Sequence, residues 1–185
     1  MSLKGKAAAI GIGELKPVKD PGDLTALAVG TGPGPYTGLR VGLVTARVLG
    51  SALCIPVDGV CTLDIIAAEA RHSAAGREFI VATDARRREV YWARYGAAAE
   101  RLSGPDVSLP ALVPAGYPIA GEGPWLHAEL AAADGIIGPR YPSAAQLAEL
   151  AADHLARGVP AGPPEARYLR RPDAKEPGRP KRVTP

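Results

Sequence analysis

The sequence is poor in aromatic residues and in cysteine. Phenylalanine, tryptophan and tyrosine together make up 5% of the 185 residues, so a core must rest on Ala, Val, Leu and Ile. Cys54 and Cys61 are the two cysteines. They are too few for a disulfide framework or a zinc site, and we expect both to be small buried side chains.

Long apolar stretches are absent too. No run approaches the roughly 18 apolar residues of a membrane-spanning helix, and the N-terminus lacks the charged, apolar and cleavage regions of a signal peptide. We therefore expect a cytoplasmic protein without membrane contact. Residues 165–185 carry seven basic and three acidic side chains, and we expect residues 171–185 to form a flexible basic tail.

Residue patterns typical of a catalytic or metal centre are scarce. His72, His127 and His154 lack a ligand spacing such as His-Glu-x-x-His, so we expect them at the surface or at helix ends. Asp84 ends a predicted strand before a turn, where a carboxylate either stabilises the turn or contacts an anion or metal ion. The pattern predicts no catalytic residue and no metal site.

The most distinctive feature is a glycine and proline loop, Gly30 to Gly38, between a predicted strand over 24–29 and a predicted helix over 38–50. Pro33 and Pro35 fix their own φ angles, which predicts an ordered loop, and Thr37 is a candidate N-cap. Such a loop can bind an anion at a helix N-terminus. The lysine of a phosphate-binding loop and the third glycine of a dinucleotide motif are both missing, however.

The remaining pattern predicts alternating helices and strands. We expect strands over 7–12, 55–60 and 117–121, a hairpin from 78–83 and 89–95, and helices over 62–75, 124–133 and 143–156, the last capped by Ser143.

Helix 38–50 is apolar on more than one face. Small residues follow one side and larger apolar residues cover much of the rest, so we expect the helix to pack on its own core and on a partner. The small residues are Gly38, Gly42, Thr45 and Ala46. Arg40 and Arg47 share a third stripe that can reach carboxylates.

The segment from Gly32 to Gly42 resembles, nearly letter for letter, the Gly-Pro-Gly-Ser/Pro-Phe/Tyr-Thr-Gly-Leu/Val-Arg-Ile/Val-Gly signature of the TsaB (YeaZ) family of tRNA threonylcarbamoyladenosine biosynthesis proteins. Segments 55–64, 84–93 and 164–170 also resemble that family, in the same order along the chain. The residues of the motif loop are Gly32, Pro33, Gly34, Tyr36 and Thr37. The resemblance covers most of the chain.

The resemblance implies a two-lobed α/β fold of the actin-like, ribonuclease-H-like type. We assign residues 1–77 to the first lobe and 78–170 to the second, leaving open to which lobe helix 143–156 belongs. Family members open with three strands and a helix, about 40 residues in all. Residues 1–22 offer one short strand, so we expect the first lobe to be incomplete.

The resemblance also implies a function. It predicts a non-catalytic scaffold that pairs with a TsaD-like subunit, which transfers the threonylcarbamoyl group to adenosine 37 of tRNA, with a TsaE-like ATPase joining and a homodimer as a further option. It predicts no cofactor on this chain alone and places ATP or ADP and metal on the partners. The predicted interface residues are Gly38, Leu39, Arg40, Gly42, Leu43 and Ala46.

Two alternatives remain open. Relatives have been named glycoproteases and the superfamily hydrolyses ATP, which leaves a metallopeptidase or an ATP-dependent phosphotransferase. The basic side chains from Arg167 to Arg182 leave direct tRNA binding through phosphate contacts, which we expect to be weak at most.

Overall fold

The computed structural model describes residues 6–10, 24–131 and 134–170, and within them the chain forms two β-sheets. The first sheet has the order β1-β2-β3 and is parallel throughout. Its strands are β1 (Lys6–Ile10), β2 (Leu24–Gly30) and β3 (Val57–Val60). The buried run from Ala26 to Val29 confirms the predicted strand, and β2 takes the central place in this sheet.

The second sheet has the order β6-β5-β4-β7. Strands β4, β5 and β6 pair antiparallel, whereas β7 pairs with β4 in parallel. The strands are β4 (Phe79–Asp84), β5 (Val90–Tyr95), β6 (Arg101–Ser108) and β7 (Ile119–Ala120). The predicted hairpin is therefore confirmed.

The described α-helices are α1 (Tyr36–Leu53), α2 (Thr62–Ala70), α3 (Gly123–Leu126), α4 (Ala128–Ala131) and α5 (Ala144–Ala156). The Ser143 hydroxyl accepts the Gln146 N–H at 3.0 Å, which confirms the predicted cap of α5. Thr37 is not an N-cap, because α1 begins at Tyr36 and Pro35 takes the capping position without a side-chain hydrogen bond.

Helix α2 lies in contact with both sheets. Leu63, Ile66 and Ala67 pack with Phe79 and Tyr95 of the second sheet. Ile65, on another face of α2, packs with Ala28, Val60, Leu147 and Ala151. Helix α5 therefore covers the first sheet, although it follows the second sheet in the sequence.

Several predicted elements differ from the structure. Strand β6 was not predicted, because Gly104 and Pro105 at its centre suggest a turn; the edge position of β6 tolerates them. The predicted helix 124–133 is divided at His127 into α3 and α4. The α2 segment ends at Ala70 and continues as turns up to Gly76.

The two cysteines occupy different environments. Cys61 is buried, as predicted, and burial raises the pKa of its thiol. Cys54 is exposed, so its predicted burial is wrong. Cys54 follows α1 with a φ of 54° and its N–H bonds to the last turn of the helix, a position that faces solvent.

Among the described residues, no helix is both long enough and apolar enough to cross a membrane. The predicted basic tail, residues 171–185, lies outside the described residues.

Candidate partner interface

The glycine and proline loop is held by backbone contacts from distant segments. The Thr62 hydroxyl accepts the Gly32 N–H at 3.1 Å, and the Gly32 carbonyl accepts the Thr62 N–H at 2.9 Å. The Thr31 carbonyl accepts the Arg167 N–H at 2.8 Å. At Gly32 the φ of +90° and the 2.9 Å from a hypothetical Cβ to Leu39 Cδ2 explain why glycine is needed. The loop thus fixes where α1 begins.

One face of α1 packs on the first sheet. Leu39, Leu43 and Ala46 are buried against Leu27 and Val29 of β2. These three residues of the predicted interface therefore face the core of this chain and are at most 8% exposed. The sequence pattern groups Ala46 with the small residues and the two leucines with the larger ones, whereas packing on the sheet brings all three to one face.

The opposite face of α1 is open. Val41, Val44 and Val48 are 62%, 61% and 60% exposed, at a spacing that places them on one side of the helix. Arg40 and Arg47 are exposed beside them, while Gly38 and Gly42 are half-buried on the other flank. We call Val41, Val44 and Val48 the valine stripe. Three β-branched apolar residues in a row on an exposed helix face are typical of a contact surface.

An apolar groove of about 310 Å³ runs along the glycine flank of α1. Gly34, Gly38 and Gly42 line one side, and Ser143 and Leu147 line the other. A Cβ at Gly42 would lie 4.0 Å from Val29, an ordinary contact distance. The small residues therefore leave open space beside the helix.

Two of the family-like segments meet at the start of α1. The Arg40 Nε donates to the Tyr168 hydroxyl at 3.0 Å, and the Arg40 guanidinium lies 4.4 Å from the centre of the Tyr36 ring. The Tyr36 and Tyr168 rings are 5.6 Å apart. Sequence reasoning noted both segments but not their contact, since 128 residues separate Arg40 from Tyr168. The cluster orients Arg40 on the exposed side of the helix.

Asp84 lies at the end of β4. Its Oδ1 accepts the Arg86 N–H at 2.9 Å, the turn-stabilising role that its position suggested. His127 Nε2 lies 3.8 Å from the same oxygen. Within the described ranges no group of three or more His, Cys, Asp or Glu side chains is arranged to hold a metal ion.

The three histidines differ in environment. His72 is exposed and His127 caps the C-terminus of α3, as expected. His154 lies in the last turn of α5, also as expected, but its Nδ1 is 2.9 Å from Oδ2 of Asp58, a buried residue of β3. Sequence reasoning missed this pair, because Asp58 within a short strand gives no signal of a partner 96 residues away.

Comparison with known proteins identifies the family. The family model described as "TsaD: tRNA N6-adenosine threonylcarbamoyltransferase" matches residues 19–140. Uncharacterized proteins of Mycobacterium leprae and Mycobacterium tuberculosis H37Rv are 44% and 46% identical to the chain, each over 83% of it. The matched part spans 40% of the M. leprae protein and 67% of the M. tuberculosis protein.

A characterised relative and a solved structure agree with this assignment. The Escherichia coli tRNA threonylcarbamoyladenosine biosynthesis protein TsaB is 42% identical over 73 residues, which are 40% of this chain and 32% of that protein. The structure of YeaZ from Pseudomonas aeruginosa superimposes with a TM-score of 0.70 at 28% identity, covering 81% of this chain and 76% of that one. The chain therefore belongs to the TsaD-like family as a TsaB (YeaZ)-type member with the actin-like α/β fold.

Proposed function

We propose that the chain is a non-catalytic subunit of a cytoplasmic assembly that makes N6-threonylcarbamoyladenosine at position 37 of tRNA. In this assembly it pairs with a TsaD-like catalytic subunit, and a TsaE-like ATPase joins them. The tRNA is the substrate of the assembly, and ATP or ADP and metal belong to the partner subunits. The names of the TsaB relatives support the pathway.

The observation that carries the proposal is the valine stripe. Val41, Val44 and Val48 keep three-fifths of their surface exposed on a helix whose opposite face is firmly packed. Burying apolar surface contributes about 25 cal/mol per Å². A partner helix laid along this face would therefore gain affinity from each valine.

Charge and rigidity support the same surface. Arg40 and Arg47 flank the valine stripe, and Arg40 is oriented by Tyr36 and Tyr168. Basic residues around an apolar centre give an interface its register with acidic groups of the partner. The bonds between Gly32 and Thr62 hold the start of α1 in place, which lowers the entropic cost of pairing.

The test is light scattering on a sizing column, with the chain alone and mixed with the TsaD-like protein of the same organism. We expect a one-to-one complex. Val44→Glu should weaken pairing at least tenfold, because it places a charge in the centre of the apolar contact. Leu112→Glu is the matched control: Leu112 is 69% exposed and belongs to the short 3-10 helix Pro110–Leu112, which contacts α4.

The outcomes separate clearly. Loss of the complex in Val44→Glu but not in Leu112→Glu supports α1 as the interface. If both variants pair with the TsaD-like protein as well as the unmodified chain does, α1 is not the interface. A complex of twice the chain mass without TsaD, lost in Val44→Glu, would instead support a homodimer on this face.

The enzyme alternatives predict a different result. A metallopeptidase would cleave peptide substrates in the absence of partners and lose that activity with a chelator, and a photometric ATPase assay would detect a phosphotransferase. We expect neither activity from the chain alone.

A further inference from the structure

A second cleft, unrelated to α1, opens between α2, α5 and the turn that joins β5 to β6. Its volume is about 590 Å³. Small-molecule sites commonly enclose about 300–1,000 Å³. The charged residues lining this cleft are Asp64, Arg71, Arg101, Asp153, His154 and Arg157. Three guanidinium groups against two carboxylates leave the lining with an excess of positive charge.

His154 is oriented in this cleft by a buried carboxylate. Asp58 is 5% exposed; its Oδ2 lies 2.9 Å from His154 Nδ1, and its Oδ1 accepts the Gly162 N–H at 2.7 Å. An ionised carboxylate only accepts hydrogen bonds, so Nδ1 carries a proton. The second ring nitrogen, Nε2, is left for another contact, as in sites where a carboxylate fixes a histidine tautomer.

Arg101 is also held in place. Its Nη1 lies 3.7 Å from Asp64 Oδ1. The same oxygen accepts the hydroxyl of the fully buried Tyr95 at 2.7 Å. Because Tyr95 is part of the core, the Asp64 and Arg101 pair is anchored to the second sheet.

The other two arginines come from helix ends. Arg157 follows α5 and forms an ion pair with Asp153. Arg71 follows α2, and within residues 24–131 and 134–170 its side chain has no hydrogen bond or ion pair. A guanidinium presents parallel N–H donors that match the oxygens of a phosphate group.

We propose that this cleft binds a small phosphate-bearing molecule. The phosphate group is held by Arg71, Arg101 and Arg157, and Nε2 of His154 contacts the same ligand. The site shares no residue with α1 and does not depend on pairing with a partner subunit.

Isothermal titration calorimetry of the full chain with inorganic pyrophosphate and with ADP, which carries the same number of phosphate groups, tests the proposal at low salt. Equal affinity for the two would show that the phosphate groups alone are recognised, whereas tighter binding of ADP would show that the nucleoside also occupies the cleft; both support the site. Arg71→Ala and Arg157→Ala should each weaken binding about tenfold, a typical loss for one charge-assisted contact.

Arg77→Ala is the matched control, because Arg77 is an exposed arginine close to the end of α2 that pairs with Asp134 outside the cleft. Its affinity should equal that of the unmodified chain. Thermal melts by circular dichroism check that each variant folds. If Arg157→Ala unfolds, the affinity of Arg71→Ala still tests the proposal, because Arg71 is exposed.

Two results would overturn the proposal. One is the absence of binding by either anion at millimolar concentration. The other is equal affinity in Arg71→Ala, Arg77→Ala and the unmodified chain, which would mean that these arginines serve the helix C-termini by interacting with the helix dipoles.

Discussion

At the residue scale, the same residue type serves different purposes at different positions. Arg40 is held near the start of α1 by two tyrosines, whereas Arg101 is paired with Asp64 inside a cleft. Asp58 and Asp84 both lie in strands, yet Asp58 orients a histidine and Asp84 stabilises a turn. Residue identity and local pattern do not separate these roles; the contacts do.

Buried groups that ionise at high pH make stability depend on pH. Burial raises the pKa of the Cys61 thiol and of the Tyr95 hydroxyl. In the unfolded chain these groups lose protons from about pH 8.5 and pH 10 upward. The unfolded state then binds fewer protons than the folded state, so stability is complete below about pH 8.5 and falls as pH rises.

Urea unfolding at pH 7.5 and pH 10 measures this loss. Cys61→Ala removes one of the two groups, so its free energy of unfolding should fall less between the two pH values than that of the unmodified chain. Cys54→Ala is the matched control, because Cys54 is exposed. An identical fall in all three proteins would contradict the prediction.

At the element scale, helix ends decide where the packed faces lie. Helix α1 starts from a loop tied to α2 and presents one face to β2 and the opposite face to solvent. Helix α5 starts from Ser143 and buries Leu147 and Ala151 on the first sheet. Its end carries His154 and Arg157, so the start of α5 also positions two residues of the second cleft.

Ser143→Ala removes the side-chain acceptor of the Gln146 N–H. We expect the free energy of unfolding to fall by about 1 kcal/mol, the usual cost of losing such a cap. Ser51→Ala, at an exposed position within α1, should leave stability unchanged or slightly raised, since alanine favours a helix. Chemical denaturation measures the free energy of unfolding of both variants and of the unmodified chain. Equal values for Ser143→Ala and the unmodified chain would show that the Ser143 hydroxyl does not stabilise the protein.

At the scale of the whole molecule, the segment 162–170 connects the two sheets. Gly162 bonds with Gly59 of the first sheet, and Arg167 bonds with the loop at Thr31. Arg170 then forms an ion pair with Glu89 beside the β4–β5 hairpin. The two sheets lie on either side of the boundary predicted at residue 77, and this segment crosses from one to the other.

Deletion of residues 162–185 should therefore destabilise the chain by several kcal/mol, since each lost backbone hydrogen bond costs about 1 kcal/mol. Deletion of residues 171–185 alone is the control, and we expect its melting temperature to match that of the full chain. Differential scanning calorimetry compares the melting temperatures of the full chain and of the two deletion variants. Equal melting temperatures for both deletions would show that the segment 162–170 does not hold the sheets together.

The shorter deletion also tests whether the basic tail binds tRNA, by comparing salt-dependent affinity with and without it.

Features that depend on local chemistry were predictable from the order of the residues alone. The segment from Gly32 to Gly42 pointed to the family through its resemblance to the TsaB signature, and Ser143 predicted the start of α5 because a capping hydroxyl bonds to an N–H three residues further on. Two runs rich in β-favouring residues, joined by the polar residues 84–88, predicted the β4–β5 hairpin. The tertiary structure decided which face of α1 stays exposed, that β6 pairs as an edge strand, and that Asp58 meets His154. Each of these depends on contacts between segments far apart in the chain, and sequence spacing carries no information about such distances.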